Sequence, residues 1–178
     1  MSLLVAHPVS VSRWWLWLLV SGLIIVADQM SKAAVLSHLR PGEALSVTSF
    51  FSIVLAFNAG AAFSFLGDAS GWQRYVFSAI AVCAAAVLIW MLRRGGSKVY
   101  CAGLSFILGG ALGNLWDRTV HGSVVDFLLV HNYLPFHNSL AGWLDPFPAF
   151  NVADSAISIG AILLILDSFA QQRNTRRP

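Results

Sequence analysis

The stretch VYCAGLSFILGGALGNLW, residues 99–116, is an uncharged run that ends directly before Asp117 and Arg118. A helix rises 1.5 Å per residue, so about 20 residues cross the ~30 Å hydrocarbon layer of a bilayer. An apolar run of this length is typical of a transmembrane helix. We therefore predict a membrane span over about 99–117, with a polar end.

Three further segments have the length and apolarity of membrane spans. They cover about residues 14–34, 73–92 and 152–169. Charged residues make up 11% of the 178-residue chain, whereas a soluble domain usually carries about 25%. We predict an α-helical membrane protein, a single integral membrane domain over 1–178 with four transmembrane helices. The net charge of +3 is spread too thinly to predict a nucleic-acid-binding face.

Four spans place both termini on one side of the membrane, and the basic residues indicate which side. Most of them lie at the chain ends or between the second and third spans: Arg13, Arg93, Arg94, Lys98, Arg173, Arg176 and Arg177. Basic residues accumulate on the cytoplasmic side. We expect both termini there, and the long connections, about 37–71 and 118–150, on the outer face. The alternative is a cleavable signal peptide, but Asp28, Gln29 and Lys32 interrupt the apolar run that it would need.

The outer connections contain two segments with the period of a β-strand. Apolar side chains favour the odd positions of residues 45–58, and residues 123–130 alternate around Asp126. Unpaired strand edges cannot face lipid, so we predict that the two segments pair in a small β-sheet at the membrane surface. We interpret the turn-rich, aromatic segment 137–148 as a flap at the interface.

Polar side chains from five parts of the chain are predicted to meet near the outer boundary. They are Asp28, Asn58, Asn114, Asp117, Arg118, Asp126, Asn151 and Asp154. Burial of ionisable groups in a membrane is costly, so such a cluster indicates a functional site. Simpler interpretations remain open. Asp28 and Lys32 could form a surface ion pair, Asp117 and Arg118 could be a polar helix end, and Asp154 could cap the fourth helix.

Other residues fit structural roles. Gly109 and Gly113, four apart, are predicted to let helices pack closely. Cys83 and Cys101 are predicted to be small core residues, and Asp167 an ordinary helix-end charge.

Asp126 and Asp154 suggest chemistry by paired carboxylates. Two acids a few ångströms apart share a proton, so one can deprotonate water while the other polarises a carbonyl group. The start of a helix favours the ionised form of Asp154, whereas apolar neighbours favour the protonated form of Asp126. No spacing of His and Cys predicts a metal site, no cofactor is expected, and no serine has an adjacent base in the sequence.

Five motifs occur in order along residues 14–168: DQMSK (28–32), FNAGAAFSF (57–65), GGALGNLWDR (109–118), VVDF (124–127) and FNVADS (150–155). Together they resemble the lipoprotein signal peptidase (signal peptidase II) family, the membrane aspartyl peptidases of bacteria. The resemblance implies four helices with cytoplasmic ends. It also implies cleavage of prolipoproteins just before a cysteine that carries diacylglycerol.

The resemblance also assigns roles to residues. Asp126 and Asp154 match the catalytic aspartates of the family. The polar residues expected to support them or the substrate are Asp28, Lys32, Asn58, Asn114, Arg118 and Asn151. The expected location is the bacterial inner membrane, with the site at the outer face. The expected partners are lipidated prolipoproteins and membrane lipids, with no nucleic acid, and the chain is expected to be a monomer.

Three alternative functions are less consistent with the sequence. A transporter or channel subunit would need acids at staggered depths, whereas most acids here are predicted near one boundary. A serine protease or a metal-dependent protease would require a spacing of catalytic or ligand residues that this sequence does not contain. A purely structural membrane protein leaves Asp126 unexplained. One departure from the family pattern is the segment between Asp126 and Asp154, which is longer than expected around 137–148.

Overall fold

The computed structural model describes residues 13–59, 72–131 and 147–175. These residues form four helices, α1 (Trp14–His38), α2 (Gln73–Arg94), α3 (Lys98–Val120) and α4 (Val152–Thr175), and three strands, β1 (Ala44–Ser46), β2 (Phe51–Asn58) and β3 (Val124–Val130). All four helices are long and apolar enough to cross a membrane. The predicted fold class, four spans with a small sheet, is confirmed. The predicted flap over 137–148 lies outside the described residues except for its last two positions.

Helix α3 is the central helix of the bundle. Half of the residues in its apolar stretch are buried, whereas about a fifth are buried in the apolar stretches of the other three helices. Glycines permit this packing, since a Cβ at Gly109 would lie 2.8 Å from the Cβ of Ile24 on α1. A Cβ at Gly113 would lie 2.8 Å from the Asp28 carboxylate. The prediction that Gly109 and Gly113 are close-packing positions is therefore confirmed.

Helix α4 also packs against α3 through glycine. A Cβ at Gly103 would lie 2.9 Å from the carbonyl oxygen of Gly160, and a Cβ at Gly160 would lie 2.6 Å from that of Gly103. Near the other end, Gly110 faces the backbone of Ala153 so closely that a Cβ would overlap its carbonyl oxygen. The first turn of α4 is thus held against α3 without an intervening side chain.

The turn between α2 and α3 is defined by two residues. Gly95 ends α2 in the left-handed region, at φ 77°, which glycine adopts without steric cost. Ser97 then caps α3, because its Oγ accepts a hydrogen bond from the Tyr100 amide at 3.0 Å.

The three strands form one antiparallel sheet in the order β1-β2-β3. In its β2–β3 half, Ala56 pairs with Asp126 and Asn58 with Val124, beyond an irregularity between Ile53 and Ala56. The predicted pairing of the two strand segments is confirmed. This register brings the side chains of Asn58 and Asp126 together at the end of the sheet where β3 begins, close to the end of α3.

Two minor predictions were wrong. Cys101 is buried, but Cys83 is exposed on the outer surface of α2, where lipid rather than protein would cover it. Asp167 is not an exposed helix-end charge. It is buried because α4 packs there on the start of α3, where Ser97 Oγ donates a hydrogen bond to it.

Candidate active site

The candidate site lies where α3 ends, α4 begins and the sheet meets the bundle. All eight side chains predicted from the sequence belong to one connected set of hydrogen bonds: Asp28, Lys32, Asn58, Asn114, Arg118, Asp126, Asn151 and Asp154. They come from α1, β2, α3, β3 and α4, so the fold gathers residues that are far apart in sequence. Within the described ranges, His, Cys, Asp and Glu side chains form no cluster of three or more that could hold a metal ion.

Asp126 is a buried carboxyl group between two amides. Its side chain is 3% exposed, and its oxygens accept from Asn58 Nδ2 at 3.0 Å and from Asn151 Nδ2 at 2.8 Å. Burial raises the pKa of Asp126 to about 6, and the charge of Asp154 acts in the same direction. The two amide hydrogen bonds and Lys32 oppose the rise in pKa but do not cancel it. The group therefore keeps its proton to a higher pH than an ordinary aspartate.

Asn151 and Asp154 form a reciprocal cap at the start of α4. Asn151 Oδ1 accepts from the Asp154 amide at 2.9 Å, and Asp154 Oδ2 accepts from the Asn151 amide at 3.2 Å. This is the capping-box arrangement, in which two backbone donors at a helix start are satisfied by each other's side chains. The simpler interpretation, that Asp154 caps the helix, is correct as far as it goes. It leaves Asn151 Nδ2 free to reach Asp126.

Asn114 connects both carboxyl groups to Lys32. Its Nδ2 donates to Asp154 Oδ1 at 2.8 Å, while its Oδ1 accepts from Lys32 Nζ at 3.2 Å and from Asn151 Nδ2 at 3.1 Å. An ammonium group can only donate hydrogen bonds. Lys32 therefore determines which end of the Asn114 amide faces Asp154.

Lys32 lies in a buried ion triad, which we define as Asp28, Lys32 and Asp117. Its Nζ is 2.7 Å from Asp28 Oδ2 and 2.7 Å from Asp117 Oδ2, and all three side chains are at most 2% exposed. The alternative of a surface ion pair between Asp28 and Lys32 is wrong. Asp28 Oδ1 also accepts from the Ala153 amide at 2.9 Å, so α1 supplies a second cap for α4.

Gln29 and Asp117 are close to the site but are not among the eight residues to which the family resemblance assigned roles. Asp117 Oδ2 accepts from the Val125 amide at 3.0 Å, and Asp117 Oδ1 accepts from Gln29 Nε2 at 2.9 Å. Asp117 was placed in the converging layer, with a polar helix end as the alternative. Gln29 could have been recognised because it is three residues before Lys32 and thus shares its helix face.

Arg118 lies partly buried at the edge of the site. Its Nη1 donates to the Asn114 carbonyl oxygen at 3.3 Å, and its Cζ is 5.4 Å from the centre of the Phe77 ring. Its Nε is buried and has no hydrogen-bond partner within the part of the chain that the structure describes. A buried donor without a partner is costly, so this nitrogen indicates where an acceptor could bind.

Comparisons with known proteins agree with one another. The family model described as "Signal peptidase (SPase) II" matches residues 20–170. A lipoprotein signal peptidase of Paraburkholderia phytofirmans is 48% identical over 161 residues, which cover 90% of this chain and 88% of the relative. One of Ralstonia nicotianae is 48% identical over 158 residues, covering 88% and 86%.

Solved structures are also similar to this chain. A bacterial membrane enzyme structure obtained by the in meso method at 2.3 Å resolution gives a TM-score of 0.75 at 26% identity. The match covers 92% of this chain and 93% of that one. A second, at 1.9 Å resolution, gives a TM-score of 0.70 at 26% identity over 85% and 91% of the two chains.

Proposed function

This chain belongs to the signal peptidase II family, and from that premise we propose that it cleaves signal peptides from diacylglyceryl-modified prolipoproteins, N-terminal to the lipidated cysteine. The chemistry proposed is hydrolysis by the aspartate pair, Asp126 and Asp154. The observation that best supports the pair is that Asn151 contacts both, through its side-chain amide to Asp126 and its backbone amide to Asp154.

The two aspartates differ in environment in the way that acid–base catalysis requires. Asp154 is partly exposed, so in the proposed mechanism it is the ionised member that takes a proton from the attacking water. Asp126, with its raised pKa, donates its proton to the carbonyl oxygen as water adds to the carbonyl carbon. When the C–N bond breaks, Asp154 passes its proton to the leaving nitrogen and Asp126 recovers one from a hydroxyl of the tetrahedral intermediate. The enzyme thus ends in its starting state.

The supporting residues hold donors toward this chemistry. Asn58 and Asn151 donate to Asp126, and Asn114 donates to Asp154, so each carboxyl group has a fixed orientation. We assign the Nε–H donor of Arg118 to a backbone carbonyl of the substrate, because this nitrogen has no partner among the described residues.

We further propose the orientation expected from the sequence, with cytoplasmic termini and the site at the outer face of the bacterial inner membrane. Exposed apolar side chains cover the outer faces of the helices, as lipid contact requires, and the basic residues favour cytoplasmic ends. In this orientation the site faces the substrate's cut position, since that substrate is itself anchored in the membrane. A monomer suffices, because one chain supplies every residue of the proposed site.

The test is cleavage of a synthetic lipidated precursor by purified enzyme, with product masses giving the cleavage position. We expect Asp126→Asn and Asp154→Asn each to lower kcat by about 10³-fold or more, because each removes a proton-transfer group. Asp167→Asn is the matched control, a buried carboxylate at the other end of α4, and it should remain active. Substantial cleavage by either variant of the pair would remove the proposed mechanism, and cleavage elsewhere in the precursor would remove the proposed specificity.

A further inference from the structure

Asp117 is a buried carboxylate that the proposed mechanism does not use. It is 1% exposed, and three donors surround its two oxygens: Gln29 Nε2 at 2.9 Å, Lys32 Nζ at 2.7 Å and the Val125 amide at 3.0 Å. These donors belong to α1 and β3, while Asp117 itself is on α3. It therefore connects α1, α3 and β3 at one position close to the aspartate pair.

Two of these contacts, those to Val125 and Lys32, lead to a carboxyl group of the pair. Val125 precedes Asp126, so the bond to its amide fixes the backbone from which Asp126 projects. The Val125 carbonyl accepts from Asn151 Nδ2 at 3.3 Å, next to the bond from Asn151 to Asp126. On the other side, Lys32 orients Asn114, which donates to Asp154.

Asp117 also contributes to the net charge of the ion triad next to the aspartate pair. The ion triad contains two carboxylates and one ammonium group, so it has a net negative charge when Asp28 and Asp117 are both ionised. The charged groups around Asp126 are Asp28 and Lys32 from α1, Asp117 and Arg118 from α3, and Asp154 from α4. A neutral residue in place of Asp117 would make the surroundings of the pair more positive, which favours loss of its proton.

We propose that Asp117 is a positioning residue for the aspartate pair, holding the β3 backbone at Val125 and, with Asp28, the ammonium group of Lys32. It contacts neither the reacting atoms nor the substrate, and Gln29 fixes its second oxygen. This inference rests on the proposed function, because it concerns how that pair is arranged and when it ionises.

Three variants separate position from charge. Asp117→Asn keeps the shape and removes the charge. We expect kcat to fall at least 10-fold with KM within about twofold of the original, and both limbs of the pH–rate profile to move at least about 0.5 unit to lower pH. Asp117→Glu keeps the charge, so its profile should lie at the original pH even if kcat falls. Gln29→Ala removes the hydrogen bonds of the Gln29 amide to Asp117, Asp28 and the Gly113 carbonyl oxygen but no charge, so it should lower kcat without moving the profile.

The control is Asp167→Asn, which neutralises a buried carboxylate about 20 Å along α4 from Asp154 and should leave the profile in place. An unshifted profile in Asp117→Asn, with normal kcat, would overturn the proposal. If that variant does not fold, an unchanged kcat in Gln29→Ala together with a shifted profile in Asp117→Glu would overturn it instead. The proposed function is tested separately, since its failure would appear as activity in Asp126→Asn or Asp154→Asn.

Discussion

Asn151 and Asp154 cap each other across the first turn of α4, while the remaining donor of Asn151 bonds to Asp126. Asn151 therefore both caps the start of the helix and aligns the two carboxyl groups. Asn151 is fully buried, so neither bond competes with water. The side-chain oxygen of Asn151 caps the helix, whereas its side-chain nitrogen orients Asp126, so different substitutions can remove one role or both.

Replacement of Asn151 tests this separation. Serine is about as good a cap as asparagine, but its hydroxyl cannot reach both the Asp154 amide and Asp126. We expect Asn151→Ser to lower stability by about 1–3 kcal/mol, because Asp126 and Asn114 lose a buried donor, and Asn151→Ala, which loses the cap as well, by about 1 kcal/mol more. Both should lower kcat by about 10²-fold because Asp126 loses one of the two amide donors that the described residues supply. Melting temperature and kcat of the two variants check this, and full activity in Asn151→Ser would contradict it.

The raised pKa of Asp126 predicts how stability depends on pH. The pKa of this carboxyl group is 3.8 in an unfolded chain and about 6 in the fold, so between these values the unfolded chain binds fewer protons than the folded one. Stability contributed by this group is complete below pH 4, falls as the pH rises through 6, and is lost above it. The largest loss is about 3 kcal/mol, from about 1.4 kcal/mol per pKa unit.

Asp126→Asn removes this titration. We expect the melting temperature of the unmodified protein to decrease between pH 4 and 7 relative to that of the variant, with the difference constant above pH 8. Asp167→Asn serves as the comparison for the loss of a buried carboxylate elsewhere. Parallel melting curves for the protein and Asp126→Asn over this range would show that Asp126 does not titrate there.

The sequence predicted the parts of the fold that depend on local patterns. Apolar segments of membrane-spanning length predicted the four helices, and the period of two predicted the strands that pair as β2 and β3. The polar cluster was predicted because each of its residues lies at the outer end of an expected span or in an expected outer connection. Motif resemblance then distinguished Asp126 and Asp154 from the other acids as the expected catalytic pair.

Contacts between elements could not be predicted in this way. That Lys32 pairs with Asp117 as well as Asp28 depends on how α1 crosses α3, which glycines at 109 and 113 permit but do not specify. For the same reason, the burial of Asp167 could not be predicted without knowing that Ser97, at the start of a different helix, lies next to it.

Lys32 is predicted to stabilise the fold as well as orient Asn114. Lys32→Met removes the ammonium group and leaves two carboxylates buried close together, which we expect to cost about 3–5 kcal/mol. Adding Asp117→Asn to that variant removes one of the uncompensated charges, so the double variant should be more stable than Lys32→Met alone. Melting temperatures of the two single variants and the double variant give the coupling. Additive effects would mean that Lys32 and Asp117 act independently.

Gly110 is predicted to fix the position of the first turn of α4. A Cβ there would overlap the Ala153 carbonyl oxygen and lie 2.8 Å from Ile157 Cγ1, so Gly110→Ala must push α4 away from α3. Because Asp154 is in that turn, a shift of about 1 Å should lower kcat by about 10²-fold. Gly22→Ala is the matched control, since a Cβ at this position on α1 meets nothing within 4 Å. It should change stability by less than about 1 kcal/mol and leave kcat unchanged. Equal activity of the two variants would show that the turn containing Asp154 does not depend on its contact with α3.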